Sequence, residues 1–376
     1  NREGRGMKKV ILVDSNSLLY RSYYALPKLS TKDGFPTGGI YGFLRIVSKL
    51  LGEPHSHFII VGDAKGTLAR TLVFKEYKSN RPKAPDELHW QRERLPDVLT
   101  QLSIPYVVYD GKEADDAICS LTHFFESWNF QVEIYTSDTD MMQLITQNTR
   151  VVTFKKGITQ VKHYDYKTFL DEFGFAPERF VDYKSLVGDS ADNIPGVNGI
   201  GPKTASALVK EFSREELLDK FGSVLERNLQ LITLEDFPVP YDTLLLRVKP
   251  SNDLSILEEL EFDSLIGPFL RVLGTRKVQV GLFGLEDLDR LPWQCLSDPT
   301  IVGEPFPFAF VERDDPIRSS NLLYAQRFLN GMDTNQVPKK VLVDDVVVDV
   351  TADEALAIMN AATSVALEGE VLRVQQ

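Results

Sequence analysis

The stretch from Gly111 to Ile145, GKEADDAICSLTHFFESWNFQVEIYTSDTDMMQLI, decides how the rest of the chain is read. It reads as a helix, an apolar strand over Val132-Glu133-Ile134-Tyr135, and a second helix. Glu113, Asp115 and Asp116 open the first helix, and Asp138 and Asp140 follow the strand. In open α/β sheets the ligand site lies outside the carboxyl ends of the strands. Five carboxylates gathered there repel one another unless a cation sits between them, and an all-oxygen donor set suits Mg²⁺ or Mn²⁺. Acids at a helix N-terminus also offset the macrodipole. That accounts for one or two of the five, but not for Asp138 and Asp140 beyond a strand.

Outward from this stretch the device repeats. Lys9 to Val13 (KVILV) is a continuously apolar strand that ends at Asp14, with capping chemistry in Ser15-Asn16-Ser17. A helix follows from about Gly39 to Leu51. A second strand, Phe58 to Val61, leads to Asp63, and a third spans Tyr106 to Tyr109. A hairpin is expected around Lys156-Gly157. Strands alternating with helices predict a mostly parallel central sheet with helices on both faces over residues 7–180. Residues 64–100 are polar, basic and broken by Pro82, Pro85 and Pro96. They read as an irregular, partly helical arch over the active edge, since such excursions are usually functional lids. From 181 to 284 the chain turns helical and adds Asp189, Asp192 and the glycine-rich turn NIPGVNGIGPKT. Residues 285–335 read as a proline-marked linker with a helix over Arg318 to Asn330. Residues 336–376 read as the beginning of a truncated domain: a strand over Lys340 to Val350, a helix over Asp353 to Ala361 and a strand at Val365 to Leu367.

Composition sets limits on class. The 376 residues suffice for two or three domains, with 43% hydrophobic and 26% charged residues. No apolar run reaches the length of a membrane span, and no signal peptide is visible. Met7 with Lys8-Lys9 looks like a start, with Asn1 to Gly6 as an extension. Two cysteines, Cys119 and Cys295, give no disulfide framework and fit a reducing cytoplasm. Cys119 reads as a core residue, and the five histidines show no zinc spacing. The net charge of −12 is unevenly spread: residues 285–376 carry 16 acids and 7 bases, whereas 65–94 carry 8 Lys/Arg against 4 Asp/Glu. A local basic patch favours polyanion contact whatever the overall charge.

Nine acids thus arrive at strand ends or helix starts: Asp14, Asp63, Glu113, Asp115, Asp116, Asp138, Asp140, Asp189 and Asp192. One Mg²⁺ usually takes one or two carboxylates, so nine suit a pair of ions clamping the attacking and leaving oxygens of a phosphodiester. Tyr77-Lys78-Ser79-Asn80-Arg81 supplies an ammonium and a guanidinium for phosphate oxygens and a ring for base stacking. Gly199-Ile200-Gly201-Pro202-Lys203-Thr204 can present backbone N–H groups to a phosphate. A nucleotide-binding P-loop is excluded there, because Pro202 separates Gly201 from Lys203.

Together VDSNSLLYRSYYA, DAKGTLARTLVFKEYKSNRP, KEADDAI, TSDTDMMQL and VGDSADNIPGVNGIGPKTA resemble the structure-specific 5′ nucleases, from about Lys8 to Leu273. The closer branch is the 5′–3′ exonuclease domain of bacterial DNA polymerase I rather than the flap endonucleases. The resemblance implies a PIN-like fold with a helical arch and a helix–turn–helix variant that holds duplex. It implies two divalent-ion sites, Asp14, Asp63, Glu113 and Asp115 (Asp116 beside them) and Asp138, Asp140, Asp189 and Asp192. Lys78 and Arg81 fall on the basic pair at the arch base, Arg70 on a phosphate contact, and Gly196 to Thr204 on the duplex-holding turn, often with K⁺. The implied activity is 5′–3′ exonuclease and flap-endonuclease cleavage of DNA flaps, nicks and RNA primers, with Asp115 and Asp138 at its centre. A cytoplasmic, nucleoid-associated enzyme, with no membrane and a covalently linked polymerase domain in the full-length protein, is the corresponding expectation. One departure is Gly62, where an aromatic often precedes the aspartate, so looser packing is expected there. Glu368-Gly369-Glu370 stands where a proofreading domain carries Asp-x-Glu, so no 3′–5′ activity is expected. A PIN-type ribonuclease and a non-catalytic DNA-binding module are the competing readings; the first lacks the 199–204 segment and the second requires gaps in the acidic set.

Overall fold

The computed structural model describes residues 8–274, except 27, 65–69, 82 and 157–159, and beyond them the strands between 311 and 375. The chain divides into two units, Asn1–Pro240 with Leu246–Thr275, and Tyr241–Leu245 with Arg276–Gln376.

The first unit is built on a six-stranded sheet: β1 (Lys9–Asp14), β2 (His57–Val61), β3 (Tyr106–Val107), β4 (Gln131–Thr136), β5 (Thr149–Lys156) and β6 (Gln160–Tyr164). Their spatial order is β3-β2-β1-β4-β5-β6. All neighbours run parallel except the β5–β6 hairpin. The strand order reverses between β1 and β4, where sheets of this kind open a crevice. β1 and β2 are buried along nearly their whole length, which is why they read as unbroken apolar runs. One face, through Ile11, Val13, Phe58 and Ile60, shares a core with Phe43, Leu44 and Val47 of α2 (Gly38–Leu50), the helix that follows α1 (Ser15–Ala25). The other face meets the helix that carries Asp115, Ala114–Ser127.

The excursion over 64–100 is only half irregular. Arg70–Val73 forms a single turn, but Asp86–Gln101 is a long helix whose Leu88, Leu95, Val98 and Leu99 sit in the main core. Pro96 lies inside that helix, where it removes one backbone N–H without ending it. Gln91, fully buried on the same helix, accepts from Gly39 N (2.7 Å) and Ile40 N (3.1 Å) and so caps α2. That contact supplies what Thr37, with no capping side-chain bond, does not.

From 166 onward the first unit is helical. Phe180–Val187 ends at Gly188 (φ +83°), and Gly188–Asp189 pairs with Ile194–Pro195. Pro202–Glu211 and Arg214–Ile232 follow, the latter opened by a Ser213–Glu216 capping box and bent at Gly222.

The second unit contains a five-stranded sheet. Lys340–Val343 and Val346–Asp349 pair antiparallel, so the expected single strand over 340–350 is two. Ser364–Glu368 pairs with Val371–Gln375 and also with Val311–Glu312. Part of the expected 285–335 linker is therefore sheet. The helices expected over 318–330 and 353–361 lie outside the described residues.

Candidate active site

Four carboxylates line one cavity at the reversal point of the sheet, less tightly gathered than Asp140, Asp189 and Asp192. Asp14 is the last residue of β1 and caps the helix Ser15–Ala25, accepting from Ser17 N at 3.0 Å and from Thr136 Oγ1 at 2.7 Å. Asp63, two residues beyond β2, accepts from Ala114 N at 2.7 Å and from the Asn16 amide, which ties β2 to the start of the next helix. Asp115 lies in the first turn of that helix. Asp138, two residues beyond β4, accepts from Asp140 N at 2.8 Å and opens the 3₁₀ turn Thr139–Leu144. All four line a cavity of about 930 Å³, together with Lys78 and Arg81.

Lys78 and Arg81 pair with Glu113 and Asp192 instead, so among the described residues no ion pair offsets these four acids. Burial pushes the Asp14 carboxyl up to about 7, against the bonds from Ser17 and Thr136 and reinforced by Asp138 and Asp63. Burial also lifts Asp115 well above the carboxylate range, with Asp138 and Asp14 adding to it against Lys78. Asp138 is raised by burial as well, against Lys184 and with Asp192 and Asp189. An oxygen-only donor set in which several acids are forced towards protonation fits a hard divalent cation.

The second group has its cations in place. Asp140, Asp189 and Asp192 each present an oxygen within 4.8 Å of the others. The Lys184 ammonium binds Asp140 and lies 2.6 Å from Asp189 Oδ2. Burial pushes Asp189 up, but Lys184 and the backbone N–H groups of Ala191 and Asp192 outweigh it and hold the carboxyl below its ordinary value. Arg81 pairs with Asp192. Lys78 stands between the groups, its Nζ 2.7 Å from Glu113 Oε2 and 3.9 Å from Asp192 Oδ2. Burial works against its charge, yet Tyr77, Glu113 and Asp192 keep that ammonium above its usual range. Its backbone is left-handed (φ 57°), a strained state for a lysine.

Several sequence-selected residues are placed elsewhere. Asp138, grouped by motif with Asp140, Asp189 and Asp192, lines the cavity with Asp14 and Asp115. Glu113 is held by Lys78 and lies 3.4 Å from Arg70 rather than lining the cavity. Asp116 accepts both ends of the Arg70 guanidinium (2.9 and 2.6 Å) and the Glu235 N–H (2.8 Å). Arg70, whose side chain is 11% exposed, also donates to Leu231 O and Thr233 O. This pair ties the arch to two helices. Tyr77 is 5% exposed and packs with Val181, Ile194, Leu231 and Ile232, so its ring is not offered to a base. Gly62 does not loosen the core: a Cβ there would fall 1.9 Å from the Tyr106 hydroxyl, so the neighbouring strand's ring fills the space. Cys119 is buried and its thiol is pushed up to about 12 by burial, as a core residue should be.

The structure also brings in residues that the motifs did not single out. Ser17, Tyr20, Arg21 and Tyr24 form one stripe of Ser15–Ala25 facing the cavity, while Leu18, Leu19 and Ser22 form the buried stripe. Asn16, Arg92 and Lys184 complete the surroundings. The i, i+3, i+4, i+7 spacing of Ser17, Tyr20, Arg21 and Tyr24 was the available signal.

At the glycine-rich turn, Gly199 takes φ +77° and Gly201 caps the helix that Pro202 begins. No described atom lies within 4 Å of a Cβ at either position, and Lys203 and Thr204 are exposed. Nothing inside the fold requires glycine at 201, whereas a ligand approaching the backbone would.

Residues 9–174 match the family described as 5′–3′ exonuclease, N-terminal resolvase-like domain, and residues 175–237 match 5′–3′ exonuclease, C-terminal SAM fold. A 5′–3′ exonuclease from Aquifex aeolicus is 36% identical over 254 residues, covering 67% of this chain and 86% of that protein. DNA polymerase I from Bacillus subtilis is 41% identical over 232 residues, 61% of this chain but 26% of the relative. The chain thus matches only about a quarter of that polymerase's length. Among solved structures, flap endonuclease-1 from Methanococcus jannaschii aligns over 71% of this chain and 91% of its own, at 18% identity and a TM-score of 0.50, a likeness of fold.

Proposed function

Because the chain belongs to the 5′–3′ exonuclease family, we propose that it cleaves phosphodiesters at the 5′ ends of DNA flaps and nicks, and of RNA primers on DNA, using two divalent ions, Mg²⁺ or Mn²⁺. Asp14, Asp63, Asp115 and Asp138 would hold one ion, and Asp140, Asp189 and Asp192 the other. When bound, such ions supply an activated water and a counter-charge for the leaving oxygen.

The chain's own residues do the rest. Lys78 and Arg81 sit between the acidic groups, where a phosphate must pass, and their charges draw it in and fix its orientation. Tyr20 and Tyr24, 37% and 66% exposed on the cavity wall, offer rings on which a terminal base can stack. Gly199, Gly201, Lys203 and Thr204 would hold the duplex backbone, and the same turn would accommodate a K⁺ ion that offsets phosphate charge. A polymerase domain linked in a longer protein, working at the nucleoid in the cytoplasm, completes this reading.

The observation that carries it is the cavity at the sheet reversal, where Asp14, Asp63, Asp115 and Asp138 face Lys78 and Arg81. The test is a 5′-labelled flap duplex with Mg²⁺ or with chelator, read for product length beside a single-stranded RNA. Mg²⁺-dependent release of short 5′ products from the flap alone is the expected result. Cleavage confined to the RNA would replace this reading with a ribonuclease.

A further inference from the structure

Lys184 sits in the last turn of Phe180–Val187, three residues before its end, and Gly188 then turns the chain into the acidic loop. A basic residue in a last helical turn ordinarily points to solvent and offsets the macrodipole. Lys184 does not: its side chain is 9% exposed and its ammonium is drawn inward. It binds Asp140, from the turn after β4, lies 2.6 Å from Asp189, after the helix, and lies 3.4 Å from Thr139 Oγ1. It therefore occupies space between two of the three carboxylates whose oxygens cluster within 4.8 Å.

We infer that Lys184 is a built-in counter-ion of the Asp140, Asp189 and Asp192 group, which a divalent cation must displace in order to bind there. The inference rests on the two-ion reading above and adds an order to it. A buried ammonium with three donors holds the acids together in the ion's absence, sparing the fold their repulsion. The same ammonium opposes a second cation, because like charges a few Å apart repel strongly where water is scarce. Among the described residues the Asp14, Asp63, Asp115 and Asp138 group makes no such ion pair, since Lys78 and Arg81 beside it are engaged by Glu113 and Asp192, and it fills first. Lys184 is thus a positioning residue that separates the affinities of two ions without touching substrate.

The test is a titration of the full chain, free of nucleic acid, with Mn²⁺ alone, following loss of the free-ion spin-resonance signal. The wild type is expected to show a tighter and a weaker binding site. Lys184→Met should tighten the weaker site by about tenfold or more, and Lys184→Arg, which keeps the charge, should leave it nearly unchanged. The melting temperature of Lys184→Met should be lower than wild type without Mn²⁺ and should rise more steeply with it; this also reads the inference if the variant is barely folded. A weaker site that is unchanged or looser in Lys184→Met, or a melting temperature that Mn²⁺ raises no more than in wild type, overturns the inference while two ions still bind. A wild type that takes up a single ion sinks the two-ion reading itself.

Discussion

The two acidic groups contain the same residue type in opposite electrostatic states. At the sheet reversal, buried Asp14 and half-buried Asp115 and Asp138 line one cavity and are driven towards protonation. In the second group, Asp140, Asp189 and Asp192 are threaded by Lys184 and Arg81, and Asp189 is held ionised. The difference teaches that carboxylate count does not define a metal site; what matters is how much opposite charge the fold has already supplied. The first group is built to need a cation. The second is built to stand without one.

The comparison breaks most visibly at its unpaired side. Asp115→Asn or Asp138→Asn should lower turnover on a flap duplex by about a thousandfold, while substrate binding without metal changes little. Retained turnover would show that this cavity is not where the chemistry occurs. The next largest effect lies in the buried ion pair of Arg70 and Asp116. Arg70→Met leaves Asp116 buried and unpaired and should cost about 3–5 kcal/mol of stability, read as a lower denaturant midpoint, with near-normal turnover by the molecules that remain folded. A specific loss of turnover with unchanged stability would return Arg70 to the role of a phosphate contact.

Acidity sharpens the contrast further. Folded Asp14 keeps its proton to about pH 7, whereas its ordinary value is 3.8. Between those values the folded state binds more protons than the unfolded state, so stability falls as pH rises. Asp189 has the opposite sign: its lowered value contributes stability above 3.8 that disappears on further acidification. In chelator, the melting temperature should therefore decline from pH 4 to beyond 7, and Asp14→Asn should flatten that decline. Added Mn²⁺ should reverse it at neutral pH.

How much of this was legible in the chain follows from the range of the interactions. Asp14, Asp63 and Asp138 could be read because each follows an apolar strand, and a strand end fixes where the next residue goes. Asp115 could be read from its place in the first turn of a helix. Tyr77 could not, since its burial comes from Ile194, Leu231 and Ile232, more than a hundred residues away in the sequence. The Arg70–Asp116 pair and Lys184 were hidden for the same reason: pairing is a property of space, whereas the motifs record only chain order. The helix Asp86–Gln101 was obscured by Pro96, which a core of leucines and valines overrides. Tyr106 compensating for Gly62 is likewise a neighbour-strand effect. It yields the smallest of these predictions: Gly62→Ala should cost about 1–3 kcal/mol by overpacking, and combining it with Tyr106→Leu should recover much of that in a denaturant titration. A Gly62→Ala variant as stable as wild type would show that Tyr106 does not fill the space.

Both acidic groups are expected to take a divalent ion, the one without ion pairs more tightly. Anomalous diffraction from crystals soaked in graded Mn²⁺ tests this most directly. The expected maps show a first peak among Asp14, Asp63, Asp115 and Asp138 at low Mn²⁺ and a second among Asp140, Asp189 and Asp192 at higher Mn²⁺. A single peak at all concentrations, or a first peak beside Lys184, would contradict it.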